Sequence, residues 1–158
     1  MPDLVTHLAS GYVAAIPLRQ RATLRLMFLT GVLLPDLLTR PFYILIPGAY
    51  DFVMPLHTPI AYTAACWLIT QAFADQTLRR ATMTGLLSGG ILHFAADALQ
   101  RQFFAGYKWL FPLCRCESTA GLFWPEASVD WIPVTVTIAA IICLAALWLE
   151  PNQAKHDR

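Results

Sequence analysis

Charge is scarce in this chain. Only 13% of its residues are charged, 11 basic against 10 acidic, for a net charge of +1. A soluble domain carries about 25% charged and about 45–50% apolar residues, whereas here the apolar share is 57%. That shortage argues against a freely soluble globule and calls for a lipid phase to cover the excess apolar surface. The balance of sign argues against nucleic acid as a partner, and no basic stripe interleaved with aromatics offsets it. Cysteine is sparse too, four residues in 158. Cys66 and Cys143 lie in apolar runs and read as small core hydrophobes. Cys114 and Cys116 form a lone C-x-C, a weak metal signal and a tight spacing for a disulfide, so a structural or incidental role is expected. The Met-Pro-Asp start lacks the basic stretch and clean apolar run of a secretory leader, so retained helices are expected to carry any membrane insertion.

What the chain has instead is apolar length. The stretch 131–149 contains no charged residue. At about 1.5 Å per residue it can cross most of a ~30 Å hydrocarbon core. Trp131 and Trp148 mark its ends as interfacial aromatics, Glu150-Pro151 is expected to stop it, and 151–158 forms a polar tail. Further membrane spans are expected over 56–74, with Pro59 in the first turn, and over 81–99, where Ser88-Gly89-Gly90 permits close packing; a shorter apolar helix is expected over 22–38, broken at Pro35. The first segment, 3–18, reads as a helix too polar to count as a span by hydropathy. The connection 101–130 carries Phe103, Phe104, Tyr107, Trp109, Phe111, Phe123 and Trp124, which suit an interfacial flap. The expected fold is all-α: one domain over 1–150, a multi-pass membrane helical bundle of about four to five helices with a long aromatic outer loop.

Basic residues orient such a bundle. Arg19, Arg21, Arg25, Arg79, Arg80, Lys155 and Arg158 are seven of the eleven Lys/Arg, and with five helices all fall on one side. The positive-inside rule makes that side, and the C-terminus, cytoplasmic. His7, Asp36, His57, His93 and Asp97 then collect at one depth on the opposite face. Ionisable side chains in apolar segments are costly and tend to be functional. His93 and Asp97, four apart, share a helix face and can bind one ion. Imidazole with carboxylate suits zinc first, with manganese, iron or nickel as alternatives.

Each residue also has a plainer use. Asp97 could pair with Arg101, four residues on, while His93 packs as a neutral core residue. Asp36 could cap a turn, His57 could cap a helix or sit at the interface, and His7 could decorate a short helix. Asp51, Glu117, Glu126 and Asp130 read by default as solvated loop charges. Arg40 and Arg101 could clamp an anion such as phosphate, although arginines are common near lipid headgroups. The coincidence of position favours a joint site over four unrelated explanations.

The order T-H-L-A-S-G, G-V-L-L-P-D, L-H-T-P, H-F-A-A-D, F-P-L and L-F-W-P-E resembles the predicted inner-membrane metal-dependent hydrolases, the YdjM-like family, over nearly the whole chain. The motifs are short, and their order carries the specificity. The resemblance implies His7, Asp36, His57, His93 and Asp97 as metal positions; Asp36 and Asp97 are the expected catalytic carboxylates, with a spare outer carboxylate to take the proton. Where the family often reads P-D-x-D and T-H-S, this chain has Leu38 in place of the second aspartate and Thr58-Pro59 after His57. That leaves fewer carboxylates for a two-metal site, with Asp51 as a substitute. A distant similarity to zinc phospholipase C implies, by analogy, hydrolysis of a phosphoester or lipid-like substrate at the outer face of the inner membrane, with membrane lipids as neighbours. Two other classes compete. A haem protein would use His57 and His93 as axial ligands. A non-catalytic membrane or transporter component would use the polar cluster structurally or for ion conduction.

Overall fold

The computed structural model of the chain describes residues 4–101 and 107–153. Among these residues regular structure is helical, apart from two isolated backbone pairings, Gln100 with Phe123 and Tyr107 with Ser118. The helices are α1 (Leu4–Ala14), α2 (Ala22–Leu37), α3 (Arg40–Leu45), α4 (Tyr50–Val53), α5 (Pro59–Thr70), α6 (Gln76–Leu99), α7 (Pro125–Asp130) and α8 (Ile132–Gln153). The expected helices are all present, with shifted limits.

Glycine sets the central contact. α2 and α6 run parallel, with Met27 against Gly85, Gly31 against Leu86 and Gly89 against Phe28 and Val32. A Cβ on Gly31 would collide with the Leu86 carbonyl, and one on Gly89 with the Phe28 carbonyl. Without side chains at these positions the two backbones approach closely. The α6 stripe facing this seam is Thr82, Gly85, Leu86, Gly89, Gly90, His93, Phe94 and Asp97, all buried. Helical spacing therefore carries the packing glycines and the candidate ligands on one face.

Three boundaries differ from the expectation for identifiable reasons. α6 begins at Gln76 rather than 81 because Asp75 caps it, accepting from Thr77 N and Leu78 N at 3.2 Å each. Pro35 lies inside α2 instead of breaking it. Proline supplies no N–H to the Gly31 carbonyl, and the Tyr62 hydroxyl takes that place, 3.2 Å from Gly31 O and 2.6 Å from Leu86 O. The stretch expected over 56–74 is bent by 74° between Tyr50–His57 and Pro59–Thr70. Thr58, extended at φ −118° and ψ 150°, caps α5 and leaves His57 in the bend. At the two ends of the chain the limits move as well. α1 stops at Ala14 and a 3-10 turn follows over Ile16–Leu18, where Pro17 sits. α8 continues past Glu150-Pro151 to Gln153, since one missing N–H near the end leaves the preceding ladder intact.

Among the described residues, two helical stretches are long and apolar enough to cross a membrane, Ala22–Leu45 and Ile132–Leu149, and the bent pair would make a third. α6 is not among them, in contrast to the expectation for 81–99, because its polar residues lower its hydropathy. It serves as the inner helix against which α1, α2 and α5 pack. α8 exposes Val134, Ile138, Ile141, Leu144, Leu147 and Trp148, an apolar surface suited to lipid. The connection 101–130 contributes more than a flap. Tyr107 is 5% exposed and joins Tyr62, Cys66, Leu86 and Phe94 in the core. Phe103 and Phe104 lie outside the described residues, as do 154–158 of the polar tail.

Candidate metal centre

Two carbonyls of α2 orient the histidines. Leu38 N bonds to Leu34 O and Thr39 N to Asp36 O, which frees the Pro35 carbonyl for other donors. His57 Nδ1 lies 3.0 Å from that carbonyl and 3.2 Å from Thr39 Oγ1, which itself donates to Pro35 O at 3.0 Å. One turn earlier, Val32 O lies 2.8 Å from His93 Nδ1. A carbonyl only accepts, so each neutral ring carries its proton on Nδ1 and turns the Nε2 lone pair inward.

Those lone pairs converge. His57 Nε2 is 3.2 Å from His93 Nε2, and Asp97 Oδ2 is 3.0 Å from the first and 3.4 Å from the second. The triangle thus has three acceptors and, with both Nδ1 protons committed, no donor. A positive charge belongs at its centre, either a metal ion or an added proton. Nitrogen donors about 2.0–2.1 Å from a tetrahedral zinc ion lie about 3.3–3.4 Å apart, so the three observed edges match one face of such a polyhedron within a few tenths of an ångström. The residues present fit a divalent cation.

The other two expected ligands flank this triangle. His7 stacks on His93, with ring centroids 4.1 Å apart and planes 17° from parallel. Its Nε2 is 3.4 Å from Asp97 Oδ1. Asp36 pairs with Arg40 Nη2 at 2.9 Å and lies 4.0 Å from His57 Nδ1. Ligand atoms of His7, Asp36 and His93 lie within 4.8 Å of one another, as do those of His57, His93 and Asp97. All five residues are at most 1% exposed. Tyr107 closes the group from the connection, its hydroxyl donating to His57 O at 2.7 Å. Burial, followed by the charges of Asp97 and Asp36, raises the Tyr107 phenol well above its usual range, so it remains a donor.

The plainer uses fare poorly here. Arg101 turns away from Asp97, donating to Gly121 O at 2.9 Å and lying over the Trp124 ring. The cap of α5 is Thr58, not His57. His7 is buried rather than decorative. Glu117 pairs with Lys108 at 3.6 Å near the surface, and Asp51, Glu126 and Asp130 are exposed, so none of the four outer carboxylates joins the cluster. Cys114 and Cys116 do form a disulfide, while Cys66 is buried as expected and Cys143 is only partly so. Thr39 and the Val32 and Pro35 carbonyls were not foreseeable as partners, because sequence alone does not show which backbone groups a bend leaves open. Comparisons with protein-family profiles, with curated proteins and with solved structures find no match to the chain.

Proposed function

We propose that the protein is a membrane-bound, metal-dependent hydrolase acting on a phosphoester or lipid-like substrate at the outer face of the inner membrane. The observation that carries this reading is the buried triangle of His57 Nε2, His93 Nε2 and Asp97 Oδ2, three potential ligand atoms 3.0–3.4 Å apart. These three residues would hold the ion, zinc first by donor type. When bound, a divalent cation supplies Lewis acidity and brings the pKa of water down toward ~7. The Pro35 and Val32 carbonyls and Thr39 fix the ring orientations, a role whose loss typically costs about 10–100-fold in affinity. Arg40, 21% exposed and paired with Asp36, offers the cationic edge that an anionic ester would meet.

The outer placement has two supports. Seven of the eleven Lys/Arg fall opposite the cluster in the expected topology, and the connection that carries Tyr107 also carries the Cys114–Cys116 disulfide. Disulfides persist in oxidising compartments. The haem alternative loses ground on geometry, since two Nε2 atoms 3.2 Å apart with a carboxylate beside them leave no room for a macrocycle between axial ligands.

One observation favours a second reading, a non-catalytic polar cluster. All five residues are at most 1% exposed, and His57 and Asp97 at 3.0 Å could share an added proton as a buried ion pair. Hydrolysis of a chromogenic phosphodiester in mixed micelles separates the two. Zinc-loaded wild type should turn over, and His93→Ala, with helicity retained by circular dichroism, should not. Equal turnover by both, or none by either, would sink the hydrolase.

A further inference from the structure

A second feature lies along α1 and α8 and ends at the opposite pole of the bundle from the histidines. α2 has Arg25 in its first turn and Asp36 near its end, about 16 Å apart along the helix axis, so Arg25 is remote from the metal centre. α8 packs on the bundle mainly through α1, and the two helices leave a gap between them. This is a groove of about 320 Å³ lined by Val5, Leu8 and Tyr12 of α1 and by Val136, Ala140 and Cys143 of α8. The lining is apolar and follows about two turns of α1, from Val5 to Tyr12.

The Tyr12 end of the groove is basic. The Arg25 guanidinium lies over the Tyr12 ring, 5.6 Å from its centroid. Its Nε is buried and makes no hydrogen bond among the described residues, whereas buried polar atoms are normally satisfied. Arg21, one turn earlier, is exposed. Arg25 N donates to Arg21 O at 2.9 Å, so the two side chains leave the helix on one side. α2 starts without a side-chain cap and has no acidic residue in its first turn, which leaves N–H groups at this end where an anion is favoured. Arg19 fastens the same turn to α8, Nη1 donating to Ala146 O at 3.4 Å, just past Cys143 of the groove. An apolar furrow that ends on guanidinium groups matches a molecule with a long alkyl chain and an anionic head.

We infer that this groove binds an anionic phospholipid, one acyl chain lying between α1 and α8 and the phosphate held by Arg25 and Arg21. The site is independent of the metal-site reading above. A guanidinium fork meets phosphate oxygens with two parallel hydrogen bonds, which supplies the partner that Arg25 Nε lacks. Size selects a lipid over a partner helix. A helix is about 10–12 Å across and does not enter the groove, whereas an acyl chain is one methylene wide. The bound chain fills the gap between α1 and α8 and so ties α8 to the bundle.

The test uses full-length protein in detergent micelles, delipidated and then incubated with dioleoyl phosphatidylglycerol or dioleoyl phosphatidylcholine. Native mass spectrometry counts the lipid retained on each protein. One phosphatidylglycerol per wild-type monomer is expected, with phosphatidylcholine held roughly fivefold less tightly or weaker. Arg25→Gln should weaken phosphatidylglycerol by about the same factor and leave phosphatidylcholine unchanged. Ala140→Phe, which fills the groove from an exposed position, should weaken both. Equal binding of the two lipids by wild type would overturn the headgroup site. Phosphatidylglycerol retained undiminished by both variants would place the lipid elsewhere. Competition by soluble glycerol phosphate as strong as that by the lipid would make the ligand a free anion, and a wild-type dimer that excludes lipid would give the groove to a second copy. Because the wild-type preference between the two lipids is decisive by itself, a variant that fails to fold does not rescue the inference.

Discussion

Gly89→Ala should weaken metal binding from a position that touches no ligand. The added methyl would lie against Phe28 O, Val32 N and the Gly31 carbonyl carbon. These are backbone atoms, and they cannot swing aside as a side chain would. Restoring ordinary contact of about 3.5 Å requires the two helices to part by roughly an ångström. Overpacking of this kind costs about 1–3 kcal/mol, partly offset by the better helix propensity of alanine, about 1 kcal/mol. A net loss of about 1–2 kcal/mol is therefore expected. The larger effect falls one turn on, where His93 Nδ1 meets Val32 O at 2.8 Å. An ångström of separation takes that contact beyond hydrogen-bond reach. Losing an orienting partner of a ligating histidine typically lowers metal affinity about 10–100-fold. Competition between the protein and a chromogenic zinc chelator reads the affinity, and thermal unfolding followed by circular dichroism reads the stability. Ser88→Ala is the control, since Ser88 Oγ only bonds back to Thr84 O and Gly85 O within its own helix; its effect should stay within about 0.5 kcal/mol. Affinity within twofold of wild type in Gly89→Ala would refute the idea that α2 carbonyls hold the histidines in their binding orientation.

Four further outcomes can be checked. Zinc at a thousandfold excess over its dissociation constant should stabilise the wild type by about 4 kcal/mol, seen as a higher melting temperature; His57→Ala should show no such rise, and an equal rise would place the ion elsewhere. Tyr107→Phe leaves His57 O without its donor, at a cost of about 1–3 kcal/mol. The folded Tyr107 phenol titrates well above the unfolded value of about 10, so its contribution is fully present below pH 10 and fades as pH climbs through the raised value; chemical denaturation at pH 8 and above pH 10 should show the gap between wild type and Tyr107→Phe closing, and a gap that widens would reverse the assignment. Arg40→Gln should raise KM for an anionic ester about tenfold, with kcat changed less; a pure kcat loss would mean that Arg40 acts on Asp36 and not on substrate. After reduction with a membrane-impermeant phosphine, Cys114 and Cys116 should label with an impermeant maleimide from the periplasmic side of intact cells, and labelling only after lysis would invert the topology.

The parts of this fold legible in the sequence are those encoded by local periodicity. The α6 stripe from Thr82 to Asp97 repeats at helical spacing, so the joint facing of His93 and Asp97 followed directly. The charge-free run of α8 announced itself for the same reason. Boundaries were less legible where polar atoms decide them. Asp75 starts α6 five residues earlier than hydropathy indicates, and a window that averages apolarity has no way to weigh one capping carboxylate against Arg79 and Arg80. Pro35 looked like a break because a proline inside a helix removes a hydrogen bond. The group that makes good the loss, Tyr62, is 27 positions away in sequence and is brought near only by packing.

The same physics explains why the candidate ligands could be named while their arrangement could not. Residue type and depth are one-dimensional properties, and they brought five side chains to one end of the bundle. Which nitrogen faces the centre depends on which carbonyls meet Nδ1: Val32 O within α2 for His93, and Pro35 O, left open at the end of that helix, for His57. Pro35 occupies the α2 ladder where Thr39 turns back to Asp36, freeing Pro35 O for His57. Thr58 bends the chain by 74° and delivers His57 to it. The site is thus built from departures from regular helix. Substituting Thr58 by alanine removes the α5 cap, at about 0.5–2 kcal/mol. It should therefore loosen His57 and lower zinc affinity more than the stability loss alone accounts for. A Thr58→Ala protein that binds zinc as tightly as wild type would show that the bend is set by Pro59 and not by the cap.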